Sequence, residues 1–183
     1  MQITILQEFV SMSNVKFNGL NISVLCVSDS RTLETDLSGK LLADRISNSG
    51  HTLFKRSLCR DDIYSIRAIV SDWISDAKCQ VVLTTGGTGV TGRDGTPEAL
   101  LPLFDKTLDG FGEIFRYLSF LDINTSSLQS RALAGVANST YIFVLPGSKN
   151  ACRLAWEKLI SQQLNNQTRP CNLAELFDRL DEK

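Results

Sequence analysis

Histidine and long apolar runs are the scarcest features of this 183-residue chain. Its single histidine, His51, begins a β-rich stretch, and one histidine placed there excludes a His-based metal site and a Ser–His–Asp triad. We expect His51 to lie on the surface. No apolar run approaches the ~18 residues of a membrane span. The apolar residues among the first ten are interrupted by Glu8, and no basic residue precedes them, so we expect no secretory signal.

An excess of charge of one sign is also missing, because 19 basic residues face 20 acidic ones and leave a net charge of −1. This balance gives no electrostatic reason to expect nucleic acid or a membrane surface as a partner. An anion site must therefore be local. The five cysteines, an odd number, form no CxxC pair. Free cysteine is enriched in protein cores, so we expect reduced, buried thiols and a cytoplasmic protein.

The apolar pattern indicates a single α/β domain. Strand patterns at residues 21–27, 51–59, 79–84 and 141–145 alternate with helical patterns that begin near Leu37, Ile63, Pro97, Gly112 and Asn150. This alternation predicts a three-layer fold, with helices on both faces of a mostly parallel sheet. We divide the chain into an N-terminal arm (1–20), the α/β domain (21–167) and a C-terminal tail (168–183), whose segment 173–180 either packs or frays.

A glycine-rich loop follows the third predicted strand: Thr85-Gly86-Gly87-Thr88-Gly89. Glycine permits positive φ and lets a ligand touch the backbone, and successive N–H groups in such a turn form an anion-binding nest. In open parallel sheets, ligands bind beyond the carboxyl ends of the strands, where this loop must lie. We therefore predict that these five residues bind phosphate. The alternative is a tight turn without a ligand.

Two better-known phosphate motifs fit this loop poorly. Residues 87–92 satisfy G-x-G-x-x-G, but the dinucleotide motif opens a helix at once and places an acid at the end of the next strand, about 20 residues on. Here Arg93, Asp94, Gly95 and Pro97 delay the helix. The Walker pattern is absent, because no Gly-Lys-Ser/Thr follows. We expect Thr96 to cap the delayed helix, with Pro97 in its first turn.

Two acids stand near the predicted phosphate loop. A carboxylate beside a phosphate nest repels the ligand unless a cation lies between them, and Mg²⁺ bound by carboxylates and substrate phosphates is the usual solution. We therefore predict that Asp94 holds Mg²⁺ and that Asp61 faces the same ligand from a neighbouring strand end. Each acid has a structural alternative: Asp94 as a cap of its turn or of the next helix, and Asp61 as the N-cap of the helix that follows.

Two further segments offer anion contacts. The hydroxyl-rich stretch 125–131 contains Ser130 and Arg131, and a guanidinium pairs well with phosphate. Its alternative is a solvated loop that leads into a strand. Pro146-Gly147-Ser148 follows a buried strand and begins a helix, where backbone N–H groups point outward and attract anions.

With these residues identified, the chain resembles the MoaB/Mog family of molybdenum-cofactor biosynthesis proteins, and within it the MoaB branch. The resemblance extends from about residue 22 to residue 171 and follows the family's order of motifs. One departure is the sequence Cys59-Arg60-Asp61-Asp62, where active Mog-type proteins tend to read Pro-Asp-Asp/Glu. The motifs that carry the resemblance are LTTGGTGVTGRDGTPEALLPLFD (83–105), GFGEIFRYLSF (110–120), TSSLQSRALAGVAN (125–138) and LPGS (145–148).

The resemblance implies a trimer or a dimer of trimers that binds molybdopterin. It also implies an adenylyltransferase that joins the terminal phosphate of this pterin to AMP from ATP with Mg²⁺ and releases pyrophosphate, without a permanently bound cofactor. By motif position, residues 86–89 would contact phosphate, Ser130 the pterin side, and Asp61 and Asp94 would be the two family acids. A molybdopterin carrier or scaffold without turnover is the alternative, and other cofactor-biosynthesis proteins are possible partners.

Overall fold

Four strands pair in parallel in the computed structural model, which describes residues 15–182. The sheet order is β2-β1-β3-β6-β5-β4, and the first four strands in that order are the parallel ones. Parallel neighbours require crossover connections, and the intervening helices supply them. The predicted three-layer α/β fold with a mostly parallel sheet is confirmed.

The elements have the following bounds. The strands are β1 (Asn21–Val27), β2 (Thr52–Cys59), β3 (Val81–Thr85), β4 (Lys106–Thr107), β5 (Leu133–Ala137) and β6 (Thr140–Leu145). The α-helices are α1 (Leu37–Asn48), α2 (Ile63–Ser75), α3 (Thr96–Leu100), α4 (Asp109–Ile123), α5 (Lys149–Ala155) and α6 (Ser161–Gln163). A π-helical turn (Trp156–Ile160) joins α5 to α6, and 3₁₀ segments lie at Leu101–Leu103, Asn124–Gln129 and Leu173–Arg179.

Strand β5 runs against the other five strands. β5 pairs antiparallel with β6 through a tight hairpin in which Asn138 and Ser139 both have positive φ. The short strand β4 then pairs with β5 at the edge of the sheet. Because β5 runs antiparallel, its first residue, Leu133, pairs with Val144 near the carboxyl end of β6. The residues that precede β5 therefore lie at the edge where the parallel strands end.

The sheet buries an apolar layer on each face. One layer packs α1, α4 and α5 against the sheet around Phe115, Phe143 and Trp156. The other packs α2 and α3 around Ile66 and Val82. These helices cover the sheet because their apolar residues recur at helical spacing and form one face each.

The predicted surface position of His51 is wrong, because its side chain is buried. Its ring lies 5.2 Å from that of Phe17 and 6.3 Å from that of Trp156. Nδ1 accepts a hydrogen bond from the backbone N–H of Leu20 at 3.1 Å. Burial lowers the pKa of this imidazole below its usual value. The contacts come from both ends of the chain, so spacing near residue 51 gave no sign of them.

The segment before β1 and the C-terminal segment meet each other. Asn166 Nδ2 donates to the carbonyl of Lys16 at 2.9 Å, and the amide N–H of Asn18 donates to Asn166 Oδ1 at 3.1 Å. In the tail, the ring of Phe177 packs edge-on against Tyr141, so segment 173–179 packs rather than frays. Residues 1–14 of the predicted arm and residue 183 of the predicted tail lie outside the described residues.

All five cysteines are free thiols, and four of them are buried as predicted. Cys171 is the exception, since it is exposed. Among residues 15–182, no helix is long and apolar enough to cross a membrane.

Candidate functional site

A cleft of about 490 Å³ opens at the carboxyl ends of β1, β3 and β6. The position follows from the topology, because neighbouring parallel strands end at the same edge and their loops leave a crevice there. Ten of the predicted site residues line it: Thr85, Gly86, Gly87, Thr88, Gly89, Asp94, Ser130, Pro146, Gly147 and Ser148. The other two, Asp61 and Arg131, stand behind the loop that forms its floor.

That floor depends on two glycines with positive φ. Gly86 has φ +107°, and a Cβ there would lie 2.1 Å from the carbonyl oxygen of Val27. Gly87 has φ +64°, and a Cβ there would lie 2.2 Å from Thr96 Oγ1 and 2.7 Å from Asp61 Oδ2. Any side chain would therefore strain the backbone and collide with its neighbours. The chain needs glycine here to bring its backbone against both a strand and an acid.

Thr96 fixes the shape of the glycine loop from below. Its hydroxyl donates to the carbonyl of Gly86 at 2.9 Å, and its backbone N–H donates to the carbonyl of Gly87 at 3.0 Å. The prediction that Thr96 caps α3 is wrong, because Gly95 is the N-cap residue and Thr96 begins the helix. The Thr96 hydroxyl reaches the carbonyl of Gly86 because the glycine loop folds back over the start of α3.

Asp94 closes the loop and faces the cleft. Its Oδ2 accepts hydrogen bonds from the N–H of Thr91 at 2.9 Å and from the Thr91 hydroxyl at 2.6 Å. The Thr91 hydroxyl and backbone bonds hold the pKa of Asp94 below its usual value, so the carboxylate stays ionised. The side chain of Asp94 therefore caps its own turn, which was one of its predicted roles, and it also lines the cleft.

Asp61 is not the N-cap of α2, as its structural alternative proposed; that place belongs to Asp62, whose side chain accepts from the N–H of Ser65 at 2.8 Å. Asp61 instead turns toward the glycine loop, where Oδ1 accepts from the N–H of Gly95 at 3.1 Å. Burial, assisted by the charges of Asp94 and Asp29, raises the pKa of Asp61.

The segment Pro146-Gly147-Ser148 is built into the same floor. The hydroxyl of Thr85 donates to the carbonyl of Pro146, and that of Ser38 donates to the carbonyl of Gly147, both at 2.9 Å. A Cβ on Gly147 would lie 3.3 Å from Cα of Gly86, so the two loops are in close contact. Ser148 caps α5 by accepting from the N–H of Ala151 at 3.1 Å.

The facing wall of the cleft combines hydroxyl groups with apolar side chains. Helix α4 presents Phe115, Ser119 and Ile123, which recur every four residues on one face, a spacing that was available in the sequence but not used. The following 3₁₀ segment adds polar residues, including the predicted Ser130. These polar residues are Ser126, Ser127, Gln129 and Ser130.

Arg131 does not face the cleft. Its guanidinium donates to the carbonyls of Gly89 and Asp94, each at 2.7 Å, and forms an ion pair with Glu98. The side chain thus crosses behind the glycine loop. The residue predicted to pair with phosphate contacts the protein backbone instead.

A buried acid at the far end of the cleft was missed. Asp36 is 1% exposed, caps α1 by accepting from the N–H of Gly39, and pairs with Arg56 at 3.1 Å. Burial and the neighbouring Asp36 raise the pKa of the Cys26 thiol to about 12, so this thiol stays protonated. Arg31 and Ser38 complete this end. The sequence feature that could have located this end of the cleft is the polar run after β1, because β1 ends at the same edge of the sheet as β3 and β6.

The acids fit a magnesium ion shared with phosphate. No cluster of three or more metal-binding side chains occurs among residues 15–182. A pair of carboxylates beside a phosphate-binding loop is nonetheless what Mg²⁺ uses, since it takes one or two carboxylates and completes its shell with phosphate oxygens and water. Asp61 approaches Gly87 and Asp94 approaches Gly89, and the charge of Asp94 adds to the cost of ionising Asp61. A cation between them would remove that cost.

Known proteins are similar to this chain over most of its length. Residues 23–166 match a family described as a probable molybdopterin binding domain. The chain is 52% identical over 163 residues to molybdenum cofactor biosynthesis protein B of Escherichia coli strain K12, covering 89% of this chain and 96% of that protein. The protein of the same name from Bacillus subtilis strain 168 is 44% identical over 147 residues, covering 80% and 86%.

Solved structures agree in fold. A crystal structure of molybdenum cofactor biosynthesis protein B is 42% identical with a TM-score of 0.78, covering 80% of this chain and 92% of that one. The tungsten cofactor synthesizing protein MoaB from Pyrococcus furiosus is 33% identical with a TM-score of 0.68, covering 76% and 89%. The chain belongs to the MoaB/Mog family of molybdenum-cofactor biosynthesis proteins, within which it is a MoaB-like member.

Proposed function

We propose that the chain binds molybdopterin in the 490 Å³ cleft and adenylylates its terminal phosphate with Mg-ATP. In this reaction a phosphate oxygen of molybdopterin attacks the α-phosphorus of ATP. The bond from that phosphorus to the bridging oxygen breaks, and pyrophosphate leaves. The observation that supports the proposal best is the placement of Asp61 and Asp94 on either side of a backbone loop that suits phosphate.

The side chains at hand match what nucleotidyl transfer requires. Such transfer depends on positioning and charge neutralisation more than on covalent help from the protein. In the glycine loop, the N–H groups of Gly87 and Thr88 and the Thr88 hydroxyl would donate to phosphate oxygens. The Thr85 hydroxyl and the Gly86 N–H already donate to carbonyls of the protein and shape the loop. On the facing wall, Ile123 offers an apolar surface and Ser130 a hydroxyl, which together suit a flat, polar heterocycle such as a pterin.

Asp61 and Asp94 would hold Mg²⁺, which supplies positive charge to the phosphates of the reacting nucleotide. The chain prepares both acids for this task. Thr91 fixes the carboxylate of Asp94, and the N–H of Gly95 fixes that of Asp61. Because the raised pKa of Asp61 reflects burial and like charges, this carboxylate gains most from a neighbouring cation.

The test is a reaction of purified protein with molybdopterin, ATP and Mg²⁺. We expect adenylylated molybdopterin and an equal amount of pyrophosphate, both dependent on Mg²⁺. An Asp94→Ala variant should retain its fold and lose pyrophosphate release. If the parent protein binds molybdopterin tightly but releases no pyrophosphate, the chain is a carrier or scaffold and not an adenylyltransferase. The observation behind this second candidate is that both acids already accept hydrogen bonds from the protein itself.

We further propose that the chain assembles as a homotrimer or a dimer of trimers in the cytoplasm. The supporting feature is an apolar stripe on α4, where Ile114, Tyr117 and Leu121 are 50%, 63% and 64% exposed. These residues recur at helical spacing and point away from the core, and Leu128 extends the stripe. A second copy of the chain would cover it.

A further inference from the structure

We infer that Arg131 is a positioning residue, which clamps the loop from Gly89 to Asp94 so that the two carboxylates face one metal ion. This inference rests on the proposed function for its effect on turnover. The clamp itself is a property of the protein without ligands.

The contacts of Arg131 join the two ends of the loop. Nε donates to the carbonyl of Gly89 at 2.7 Å, and Nη2 donates to the carbonyl of Asp94 at 2.7 Å. The backbone N–H of Arg131 also approaches the carbonyl of Thr88 at 3.4 Å. A single planar guanidinium thereby ties the start of the loop to its end, and its rigid donor geometry suits two carbonyls at once.

Little else holds this loop. Its tip, residues 90–93, is exposed, and the polar contacts there are the hydrogen bonds between Thr91 and Asp94 and an exposed ion pair between Arg93 and Asp29. Segments with few buried contacts open at low free-energy cost. Loss of the clamp should therefore free the backbone of Asp94 and, with it, the orientation of the carboxylate.

The charge of the guanidinium is already committed. Nη1 forms an ion pair with Glu98 in α3, and Nε and Nη2 are bound to carbonyls. Phosphate would have to displace these partners to reach Arg131. Arg131 thus acts on the acid, not on the substrate.

The position of Arg131 also couples the two walls of the cleft. Its neighbour Ser130 lines the cleft on the hydroxyl side, whereas the guanidinium reaches the glycine loop on the other side. The antiparallel β5 makes this possible by placing both residues at the carboxyl edge of the sheet.

Two variants and a matched control test the clamp. Arg131→Met keeps the length of the side chain and removes its donors, and Glu98→Gln removes the ion-pair partner while leaving both carbonyl bonds. Arg116→Met is the control, because Arg116 likewise donates to a carbonyl, that of Ala132 at 2.9 Å, but touches no loop residue in 88–95. Hydrogen exchange of amides 88–95, followed without ligand by mass spectrometry, reports on the loop directly.

We expect Arg131→Met to accelerate exchange in residues 88–95 by at least tenfold while the core strands keep their protection. Glu98→Gln should have a smaller effect, and Arg116→Met none in this segment. Unchanged exchange in Arg131→Met would overturn the clamp. If Arg131→Met fails to fold, hydrogen exchange is measured in Glu98→Gln and in Arg131→Lys. Both variants should accelerate exchange in residues 88–95, though less than Arg131→Met would. Parent-like protection of this segment in both variants would overturn the inference.

Turnover gives a second, separable result. A catalytic group displaced by about 1 Å loses about 10²-fold in rate, so Arg131→Met should lower kcat by that order and raise the Mg²⁺ concentration for half-maximal rate. The KM for molybdopterin should change much less. A raised KM with unchanged kcat would instead make Arg131 a substrate ligand and overturn the inference. A parent protein without turnover refutes the proposed function, whereas the exchange experiment still tests the clamp.

Discussion

The carboxylate of Asp61 accepts a hydrogen bond from the backbone N–H of Gly95 at 3.1 Å, although the two residues follow different strands. The bond joins the turn after β2 to the end of the glycine loop after β3. It holds a partly buried acid directly behind the glycine loop, and burial raises the pKa of that acid. The protein therefore carries an acid that is costly to ionise at the edge of its glycine loop.

Replacement of Asp61 should separate activity from stability. In Asp61→Asn the amide oxygen can still accept from Gly95, but the negative charge is gone. We expect pyrophosphate release to fall by about 10²-fold or more, as for loss of a group that stabilises transition-state charge. Because burial disfavours the ionised acid, the midpoint of thermal unfolding should not fall at neutral pH.

The adjacent acid is the natural control for this change. Asp62 caps α2 through the N–H of Ser65, and asparagine caps helices as well as aspartate does. Asp62→Asn should therefore retain both pyrophosphate release and thermal stability. Equal losses of activity in the two variants would mean that Asp61 has no special part in the reaction.

The pKa of Asp61 also sets an expected pH dependence. Its folded pKa is raised, so the carboxylate begins to take up a proton at a higher pH than an ordinary aspartate, whereas the lowered pKa of Asp94 keeps that acid ionised. If ionised Asp61 holds Mg²⁺, turnover should fall on acidification along one limb that higher Mg²⁺ concentrations move to lower pH. A pH–rate profile at two Mg²⁺ concentrations checks this, and identical profiles would contradict it.

Two glycines of the same loop should differ sharply in their tolerance of a methyl group. Gly87 has positive φ and its Cβ would meet Thr96 and Asp61, so Gly87→Ala should cost about 1–3 kcal/mol in unfolding free energy. It should also weaken phosphate binding. Gly92 has open space around its Cα, and Gly92→Ala should stay within about 0.5 kcal/mol. Chemical denaturation measures both, and a tolerant Gly87 would contradict the observed loop.

His51 should make the protein less stable in mild acid. Its folded pKa lies below the unfolded value of 6.5, so the unfolded chain binds the proton more readily. The stabilising contribution of neutral His51 is present above pH 6.5 and is lost as the pH falls through that value toward the folded pKa. Denaturation of the parent at about pH 7.5 and about pH 5.5 brackets this transition.

The control for His51 is an asparagine. In His51→Asn, the side-chain oxygen can replace Nδ1 as acceptor for the N–H of Leu20 without titrating. The difference in unfolding free energy between the two pH values should shrink in this variant. If the variant keeps the full difference, the acid sensitivity belongs to other groups.

The apolar stripe on α4 gives a test of assembly. Tyr117→Glu places a charge in the centre of the stripe and should convert the proposed trimer into monomers, because a buried unpaired charge is costly. Tyr64→Glu, on α2 in the opposite layer, changes a side chain that is 75% exposed and should leave the assembly intact. Analytical ultracentrifugation distinguishes these masses, and a monomeric parent would refute the assembly.

Local pattern was enough to find the frame of the site. The strands β1, β3 and β6 are short apolar runs, and a parallel sheet places the loops that follow them at one edge. The glycine loop and Pro146-Gly147-Ser148 were each predicted to offer anion contacts after a strand, and the structure brings the two loops into contact. Their roles toward a ligand remain predictions.

What sequence could not supply were contacts between distant residues. Asp61 and Asp62 are equally good caps in sequence, and only the position of Gly95 decides which one turns to the loop. Arg131 faces two carbonyls because β5 is antiparallel, a direction that its small residues did not reveal. His51 is buried by segments that precede β1 and follow β6.

The five thiols differ in exposure, so one of them can be labelled selectively. Four cysteines are buried, and burial raises the pKa of each, to about 12 for Cys26 and about 11 for Cys59 and Cys152. Alkylating reagents attack the thiolate, so near neutral pH they will spare these four and modify exposed Cys171. A fluorophore can thus be attached at one place in the unmutated chain, outside the residues that line the cleft. Titration of molybdopterin or nucleotide into such a conjugate measures affinity without a chemical reaction.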